Sequence, residues 1–260
     1  MIFDLSDNPY VIFCLILLLL VIRYTLIAGS AFIYFWIWKK DKFQKFRIQE
    51  KFPAKDKLIY EIKYSFLTLL IFAINGIGVY YGNKSGLFHI YTNIDESGRL
   101  YYYASFLLIL LFHDTYFYWM HRAIHWKPLY KYIHKVHHNS TNPSPLAAFS
   151  FHPWESMFEA LIIPLYLLVL PLHFHAIVFF LITMTVLNVL GHLGYEFYPS
   201  GFTNHWFFKW INTSTHHNMH HKFFENNYGL YLNFWDRLMG TNHPQYTEIF
   251  ENIKRRALSS

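Results

Sequence analysis

The run HRAIHWKPLYKYIHKVHH, residues 121–138, holds two histidine clusters, HRAIH and HKVHH, and it determines how the rest of the chain is interpreted. A third cluster, HHNMHH, follows at residues 216–221. Side chains three or four positions apart lie on one face of a helix, about 5–6 Å apart at Cβ. Each cluster therefore presents two or three imidazoles together, which is the spacing that metal ligation from a helix requires.

The balance of histidine and cysteine restricts the kind of metal site. The chain has 17 histidines and one cysteine, so a disulfide framework, a thiolate zinc cluster and an iron–sulfur site are excluded. Neighbouring helical residues such as His137 and His138 point about 100° apart, which lets each serve a different metal. Eight or more inward imidazoles exceed the ligands of one tetrahedral zinc and suit two metals with roughly five nitrogens each.

The overall composition is that of a membrane protein. Of the 260 residues, 54% are hydrophobic, 22% aromatic and only 15% charged, whereas an ordinary soluble domain is about one quarter charged. This composition excludes a disordered chain and a nucleic-acid-binding protein. The net charge of +6 in so apolar a chain indicates Lys and Arg concentrated at a membrane face.

Three apolar runs predict membrane spans over about residues 11–38, 64–82 and 101–120. Residues 39–63 carry nine Lys or Arg against four acids, while residues 83–99 carry two against two. An excess of Lys and Arg marks the cytoplasmic side. The third crossing therefore returns the chain to the cytoplasm where the histidine clusters begin.

A fourth apolar region, residues 157–192, is too long for one span and is interrupted at Pro171. Because proline ends or kinks a helix, we expect a membrane hairpin with both ends on the cytoplasmic side. The predicted fold is all-α: a multi-pass membrane stem with a cytosolic helical cap that holds a His-rich dimetal centre. We divide it into an N-terminal transmembrane region, 1–100, a catalytic region, 101–245, and a C-terminal tail, 246–260.

Six motifs in order carry a family resemblance: HDTYFYWMHRAIH, HKVHH, FHPWE, GHLGYE, HHNMHH and NYGLYLNFWDRLMGT. Across about residues 110–241 the chain resembles the fatty acid hydroxylase/sterol desaturase superfamily of integral-membrane di-iron oxygenases. The resemblance implies a fatty acid hydroxylase-like domain with two non-haem iron ions and O2 as co-substrate. It implies hydroxylation or desaturation of a lipid, either a sterol or a fatty acyl chain.

Carried over residue by residue, the resemblance assigns nine metal ligands. They are His121, His125, His134, His137, His138, His192, His217, His220 and His221. His216 adjoins the third cluster and is an alternative to His217. Asn188 lies one helical turn before His192. It is either a weak or water-mediated ligand or a polar contact within the helix bundle.

Two further residues are expected to support the ligands. His152, in the FHPWE motif, is assigned to the shell around the metal rather than to the metal itself. Asp114 lies seven residues before His121 on the same helical face. We expect its carboxylate to accept the N–H of a ligand imidazole and so to fix the tautomer of that ring.

The reaction implied by the resemblance needs electrons, and the sequence has no recognisable flavin motif or haem-binding domain. A separate donor, of a cytochrome b5-like or ferredoxin-like type with its reductase, is therefore expected. Arg122, Lys127, Lys131 and Lys135 lie beside the second cluster, where they could dock an acidic carrier or contact anionic lipid headgroups.

Two other classes of function compete with the oxygenase. A membrane metal-binding or transport protein would need a polar pathway through its spans, and the first three runs offer few polar residues. A zinc-dependent membrane hydrolase would need a carboxylate base beside an HExxH-like pair, which the sequence lacks. The location expected is the bacterial inner membrane or the endoplasmic reticulum, with the histidines on the cytoplasmic side.

Overall fold

A computed structural model describes residues 8–259 and consists almost entirely of helices. Residues 1–7 of the N-terminal region and Ser260 of the tail lie outside the described residues. Helix α1, Pro9–Tyr24, begins with proline in its first turn and is capped by Asn8, whose side chain accepts from the Tyr10 N–H at 2.9 Å. The helical path continues through two π-helical segments, Thr25–Gly29 and Phe32–Trp38.

The long helix α3, Lys55–Lys84, packs along α1. The short helix α2, Lys40–Phe43, and a 3-10 turn, Gln44–Phe46, lie in the basic segment between them. By length and composition, three stretches of the described chain could each cross a membrane: Pro9–Trp38, Lys55–Lys84 and Phe174–Gly191. The chain is therefore an all-α membrane protein, as the sequence predicted.

Helix α4, Arg99–Ile124, covers the third predicted span but is not among those three stretches. Its C-terminal half carries His113, Asp114 and Arg122, which lower its hydropathy. One face of the helix nevertheless exposes Leu107 and other large apolar side chains. A membrane crossing by residues 101–120 thus stays a prediction.

The fourth apolar region folds back on itself. Helices α7, Pro153–Ala160, and α8, Ile162–Leu167, form the first arm, and α9, Phe174–Gly191, forms the second. The break contains Pro171 and strand β2, Leu172–His173, which pairs in parallel with β1, Ile90–Tyr91. This pairing joins the turn of the hairpin to the predicted outer loop, which precedes α4. The histidine clusters lie at the opposite ends of α4 and α9.

The cap consists of short helices. They are α5, Lys127–Ile133, α6, Lys135–His138, α10, Ser214–Phe223, α11, Phe234–Leu238, and α12, Tyr246–Ser259, with 3-10 turns at Pro145–Phe149, Phe202–Asn204 and Phe208–Trp210. The segment assigned to a C-terminal tail is α12, which buries Tyr246, Phe250, Ile253 and Ala257 on one face. Since these residues recur at helical spacing, α12 is amphipathic and packs against α10 and the turn at Gln44–Phe46.

One large apolar core fixes the cap over the stem. It joins Leu20 of α1, Leu69 of α3, Ile109 of α4 and Phe180 of α9, and it includes Tyr231 from the loop before α11. The Tyr231 hydroxyl lies 2.7 Å from Nδ1 of the buried His113. This core holds the ends of α4 and α9 together, and the histidine clusters lie at those ends.

Candidate metal centre

Two groups of imidazoles form at the junction of the stem and the cap. The first group has five members, His121, His125, His134, His138 and His220, and the second has four, His137, His192, His217 and His221. Within each group the nitrogen atoms that face one another lie within 4.8 Å. The structure thus brings together all nine residues that the sequence analysis assigned as ligands, and their binding of metal stays a prediction.

Local helix structure explains the division into two groups. The end of α4 contributes His121 and His125, four residues apart, to the first group. In α10 the neighbours His220 and His221 point to different groups, because successive helical residues differ by about 100° in direction. The adjacent pair His137 and His138 divides in the same way, as the sequence spacing predicted.

The outer nitrogen of most of these rings faces a hydrogen-bond acceptor of the backbone. Nδ1 of His121 lies 2.8 Å from the Tyr228 carbonyl oxygen, Nδ1 of His220 lies 2.7 Å from that of Asn226, and Nδ1 of His221 lies 2.9 Å from that of Ser140. Likewise, Nδ1 of His192 lies 2.8 Å from the Asn188 carbonyl oxygen. Since a carbonyl oxygen only accepts, the ring proton is on Nδ1 and the lone pair is on Nε2.

The inner nitrogens converge on one another. Nε2 of His121 lies 3.0 Å from Nε2 of His134, and Nε2 of His192 lies 3.1 Å from Nε2 of His217. Two lone pairs at this separation repel unless a cation lies between them. Two nitrogens that each lie about 2.1 Å from one metal ion, with their bonds at right angles, are about 3 Å apart. The distances between the Nε2 atoms therefore fit metal ions.

The protonation state of the rings agrees with metal binding. Burial, reinforced by neighbouring imidazoles, holds the pKa of His137, His138 and His221 well below the ordinary value, and it lowers the pKa of His217 and His220 in the same way. The rings are therefore neutral at physiological pH. Neutral imidazole is the form that coordinates a metal.

The carboxylate of Glu155 fixes the orientation of one ligand, and the sequence analysis did not assign it a role. Its Oε1 lies 2.7 Å from Nδ1 of His134, and both side chains are buried. Glu155 is in the first turn of α7, whose first residue is Pro153. A carboxylate on the outer nitrogen of a ligand imidazole raises the basicity of that ring and fixes its direction.

Asp114 does not contact an imidazole among the described residues, so the predicted contact is wrong. Its Oδ1 accepts from the backbone N–H groups of Tyr231 and Leu232, at 2.9 and 3.0 Å. The carboxylate of Asp236, which the sequence analysis also missed, accepts from the N–H groups of Tyr228 and Gly229, at 2.9 and 2.7 Å. The two aspartates thus hold the loop whose Tyr228 carbonyl contacts His121.

Gly229 shows how tightly this loop is packed. A Cβ atom at this position would lie 2.7 Å from the Leu232 carbonyl oxygen and 2.8 Å from Oδ2 of Asp236. Both distances are too short for a real contact, so only glycine fits.

Three other candidates lie outside both groups. His216 is fully buried, but its Nε2 lies 3.2 Å from Oδ1 of Asn242 and 3.5 Å from Oδ2 of Asp236. The Asn188 side chain donates to the Ala148 carbonyl oxygen at 2.6 Å, which makes it a polar contact within the bundle. His152 caps α7, with Nδ1 accepting from the Trp154 N–H at 3.3 Å. The contact to a predicted ligand is made by Glu155, three residues away, and not by the His152 side chain.

The predicted docking residues lie on α4, α5 and α6. Lys127, Lys131 and Lys135 are exposed. Arg122 is half-buried and donates to the Tyr118 hydroxyl at 3.3 Å. The three lysines are therefore accessible to a partner beside the first group of imidazoles.

Comparison with known proteins adds an independent finding. The fatty acid hydroxylase family model matches residues 106–241. The chain is 32% identical over 203 residues to a Delta(7)-sterol 5(6)-desaturase of Gibberella zeae, covering 77% of this chain and 61% of that protein. It is 32% identical over 197 residues to a lathosterol oxidase of Rattus norvegicus, covering 75% and 64%. It is 30% identical over 189 residues to a lathosterol oxidase of Homo sapiens, covering 72% and 62%.

The chain thus spans less than two thirds of the length of these relatives. No solved structure matches it.

Proposed function

Because the chain belongs to the fatty acid hydroxylase/sterol desaturase superfamily, we propose that it is a membrane-bound di-iron oxidoreductase that uses O2 to hydroxylate or desaturate a lipid. The observation that carries this proposal is the convergence of nine imidazoles in two adjacent groups at the junction of stem and cap. The names of these relatives, a sterol desaturase and a lathosterol oxidase, favour a sterol over a fatty acyl chain as the substrate class.

Each group of imidazoles would hold one iron ion. Imidazole suits iron, copper, nickel and zinc, so the ligands alone do not select the metal, and the family favours iron. When bound, two ferrous ions supply activation of O2 and removal of hydrogen from an unactivated C–H bond. Hydroxylation then consumes one O2, two electrons and two protons for each oxygen inserted.

The chain's own residues position the imidazoles and keep water away from them. Phe117 packs on His121 with ring centroids 4.8 Å apart, and Phe151 packs on His137 at 5.1 Å. Phe224 covers His138 at 4.9 Å. An apolar lining of this kind excludes water from a reactive centre. Where Nδ1 faces an acceptor, as in His121, His192 and His220, that contact holds Nε2 in place, so binding of metal needs little rearrangement of these rings.

The first prediction concerns the metal. Protein purified without oxygen is expected to contain about two irons per chain, since two separate nitrogen-rich groups are present. Removing the iron with a chelator should abolish substrate-dependent O2 uptake, and adding ferrous iron back should restore it. Zinc added back in the same way serves as the control and should not restore uptake, because zinc has no redox chemistry.

Lipid analysis of cells with and without the gene tests the reaction itself. We expect one lipid to differ by one oxygen or by two hydrogens. A protein that holds zinc alone after anaerobic purification, with unchanged cellular lipids, would contradict the proposal.

We also propose that an external acidic electron carrier docks on the exposed Lys127, Lys131 and Lys135, beside the first group of imidazoles. Changing all three to glutamate is expected to slow reduction of the iron by an acidic carrier by roughly tenfold or more, because like charges replace a steering surface. Stopped-flow reduction under anaerobic conditions measures this rate. Reduction by dithionite, a small reductant, should be unchanged.

Arginine at the same three positions is the matched control for that experiment, since it keeps the charge. If the glutamate variant is reduced as fast as the arginine variant, the carrier docks elsewhere.

We propose that the histidine groups face the cytoplasm. The excess of Lys and Arg in residues 39–63 supports this orientation. The basic segment also contacts the cap directly, because the side chain of Gln49 lies 2.8 Å from that of Asn218 in α10.

A further inference from the structure

A loop of the cap exposes an unusual number of aromatic side chains. In the sequence HWFFKW, residues 205–210, the exposed fraction is 75% for Trp206, 54% for Phe207, 41% for Phe208 and 39% for Trp210. We call residues 205–210 the aromatic loop. Single exposed apolar residues are ordinary, but an exposed patch of large aromatic side chains marks a surface that contacts something apolar.

Helix α11 extends the same patch. The rings of Phe234 and Trp210 are 6.2 Å apart between centroids, and Phe234 and Leu238 are themselves exposed. Arg237 of α11 reaches the aromatic loop, with its guanidinium 5.9 Å from the Trp210 ring. It donates to the Lys209 carbonyl oxygen at 3.0 Å. The loop is thus held against α11 by hydrogen bonds, so the exposed rings have a fixed support.

The mixture of side chains in this patch indicates the chemistry of its partner. Aromatic side chains next to cationic ones are typical of the membrane–water interface. There the rings contact acyl chains and the cations contact phosphate. Lys209 and Arg237 are the cations adjoining Trp210, with the Lys209 Nζ 5.0 Å from the indole. A bilayer has an apolar core of acyl chains and anionic phosphate groups at its surface, so it matches both kinds of side chain.

A cavity beside the loop connects it to the stem. It has a volume of about 350 Å³ and is lined mainly by apolar residues, including Leu187 and Leu190 of α9, Phe197, Ile211 and Leu230. Ile211 directly follows the aromatic loop. Helix α9 is about 27 Å long, close to the thickness of the hydrocarbon core, so a crossing by α9 would place its last turn near the membrane boundary. The cavity, which that turn lines, is then expected at the boundary too.

The same cavity adjoins the second group of imidazoles. Gly191 lines it, and a Cβ atom built on Gly191 would lie 3.5 Å from ring atoms of His217. Leu193, on the other side of His192, lines it as well. The cavity is thus lined by residues that adjoin two predicted ligands, His192 and His217.

We propose that the aromatic loop and α11 lie in the membrane interface and hold the mouth of this cavity at the membrane surface, where a lipid enters it from the bilayer. The location in the interface follows from the exposed side chains and from the end of α9. The entry of a lipid substrate rests on the proposed function.

Spin labels at single cysteines test the location. In a Cys14→Ser background, which removes the one native cysteine, labels are placed at Trp206→Cys or Phe207→Cys in protein reconstituted into phosphatidylcholine and phosphatidylserine vesicles. Lys131→Cys, exposed on the cap, is the aqueous control, and Leu18→Cys, exposed on α1, is the lipid control. We expect labels at 206 and 207 to collide more with O2 and less with a water-soluble nickel complex than the label at 131 does. Equal accessibility at 206, 207 and 131 would overturn the proposal.

A second variant tests the entry of substrate. Trp206→Ser combined with Phe207→Ser is expected to raise KM for a lipid presented in vesicles several-fold, with kcat and iron content unchanged. In detergent micelles, where no bilayer surface exists, the same variant should match the unaltered protein. An unchanged KM in vesicles would overturn the role in entry. An unaltered protein without any lipid oxidation would overturn the proposed function, while the spin-label result would still decide the location of the loop.

Discussion

Replacing His217 by glutamine is expected to remove one iron and to abolish lipid oxidation, whereas the same change at the neighbouring His216 should leave both intact. The two residues are adjacent in α10 and both are buried. Nε2 of His217 lies 3.1 Å from Nε2 of His192 and 3.2 Å from Nε2 of His221, inside the second group of imidazoles. His216 points the other way, toward Asn242.

The size of the effect follows from the number of ligands in each group. Among residues 8–259 the second group has four imidazoles and no carboxylate, so losing one leaves three nitrogens. Loss of a contact that only supports a ligand costs about 10- to 100-fold in metal affinity or activity, so loss of the ligand itself should cost more. The bound iron should then fall from about two to about one per chain, since metal affinity depends directly on the ligand count.

Glutamine at position 216 is a fair control, because its amide can still donate to Oδ1 of Asn242. Iron per chain measured by atomic spectroscopy and O2 uptake measured with the substrate lipid distinguish the two variants. The opposite result, in which His216→Gln loses iron and His217→Gln keeps it, would mean that His216 is the ligand.

Helical spacing was sufficient to predict that imidazoles of one cluster share a helical face, whereas the set of nine ligands came from the family resemblance. His121 and His125, or His217 and His221, are one turn apart, so local helix geometry brings each pair to one face whatever the rest of the chain does. The division of neighbours such as His137 and His138 between two groups follows from the same periodicity. The all-α membrane fold was equally accessible, because long apolar runs and a proline-interrupted region have few other solutions.

Contacts between distant segments were not accessible in this way. The sequence gives the helical face of Asp114 but not what packs against that face. The structure brings the backbone of Tyr231 and Leu232 there, more than a hundred residues along the chain. These N–H groups satisfy the buried carboxylate. A ligand imidazole was expected to donate to Asp114, but His121 instead contacts the carbonyl of Tyr228. A buried acid finds a donor, but spacing does not reveal which one.

The motif FHPWE contains a signal for the position of Glu155. Proline is favoured in the first turn of a helix, so Pro153 predicts that His152 is the cap and lies outside the helix. Glu155 then falls at the third helical position. Its side chain lies within the first turn and reaches His134. Similar attention to spacing predicts a helix within the segment assigned as a C-terminal tail, since Tyr246, Phe250, Ile253 and Ala257 have helical spacing.

Changing Glu155 to alanine is expected to weaken iron binding at the first group by about 10- to 100-fold, the range measured for partners that orient metal ligands. The carboxylate lies 2.7 Å from Nδ1 of His134, and its buried Oε2 has no other hydrogen-bond partner among the described residues. Burial raises the pKa of this carboxyl well above its ordinary value, so its negative charge, directed at one ring, is expected only with the metal cation bound. Removing it lowers the basicity of that imidazole and leaves Nδ1 without an acceptor.

Glutamine at position 155 separates the two contributions, because it keeps an acceptor oxygen but loses the charge, and an intermediate affinity is expected. His152→Ala is the matched control three residues away. It removes the side-chain cap of α7 and should not change iron affinity, because His152 contacts the Trp154 N–H rather than a ligand. Competition with a calibrated iron chelator measures the affinities. If Glu155→Ala competes as well as the unaltered protein, the carboxylate does not tune the site, and its burial beside His134 serves packing alone.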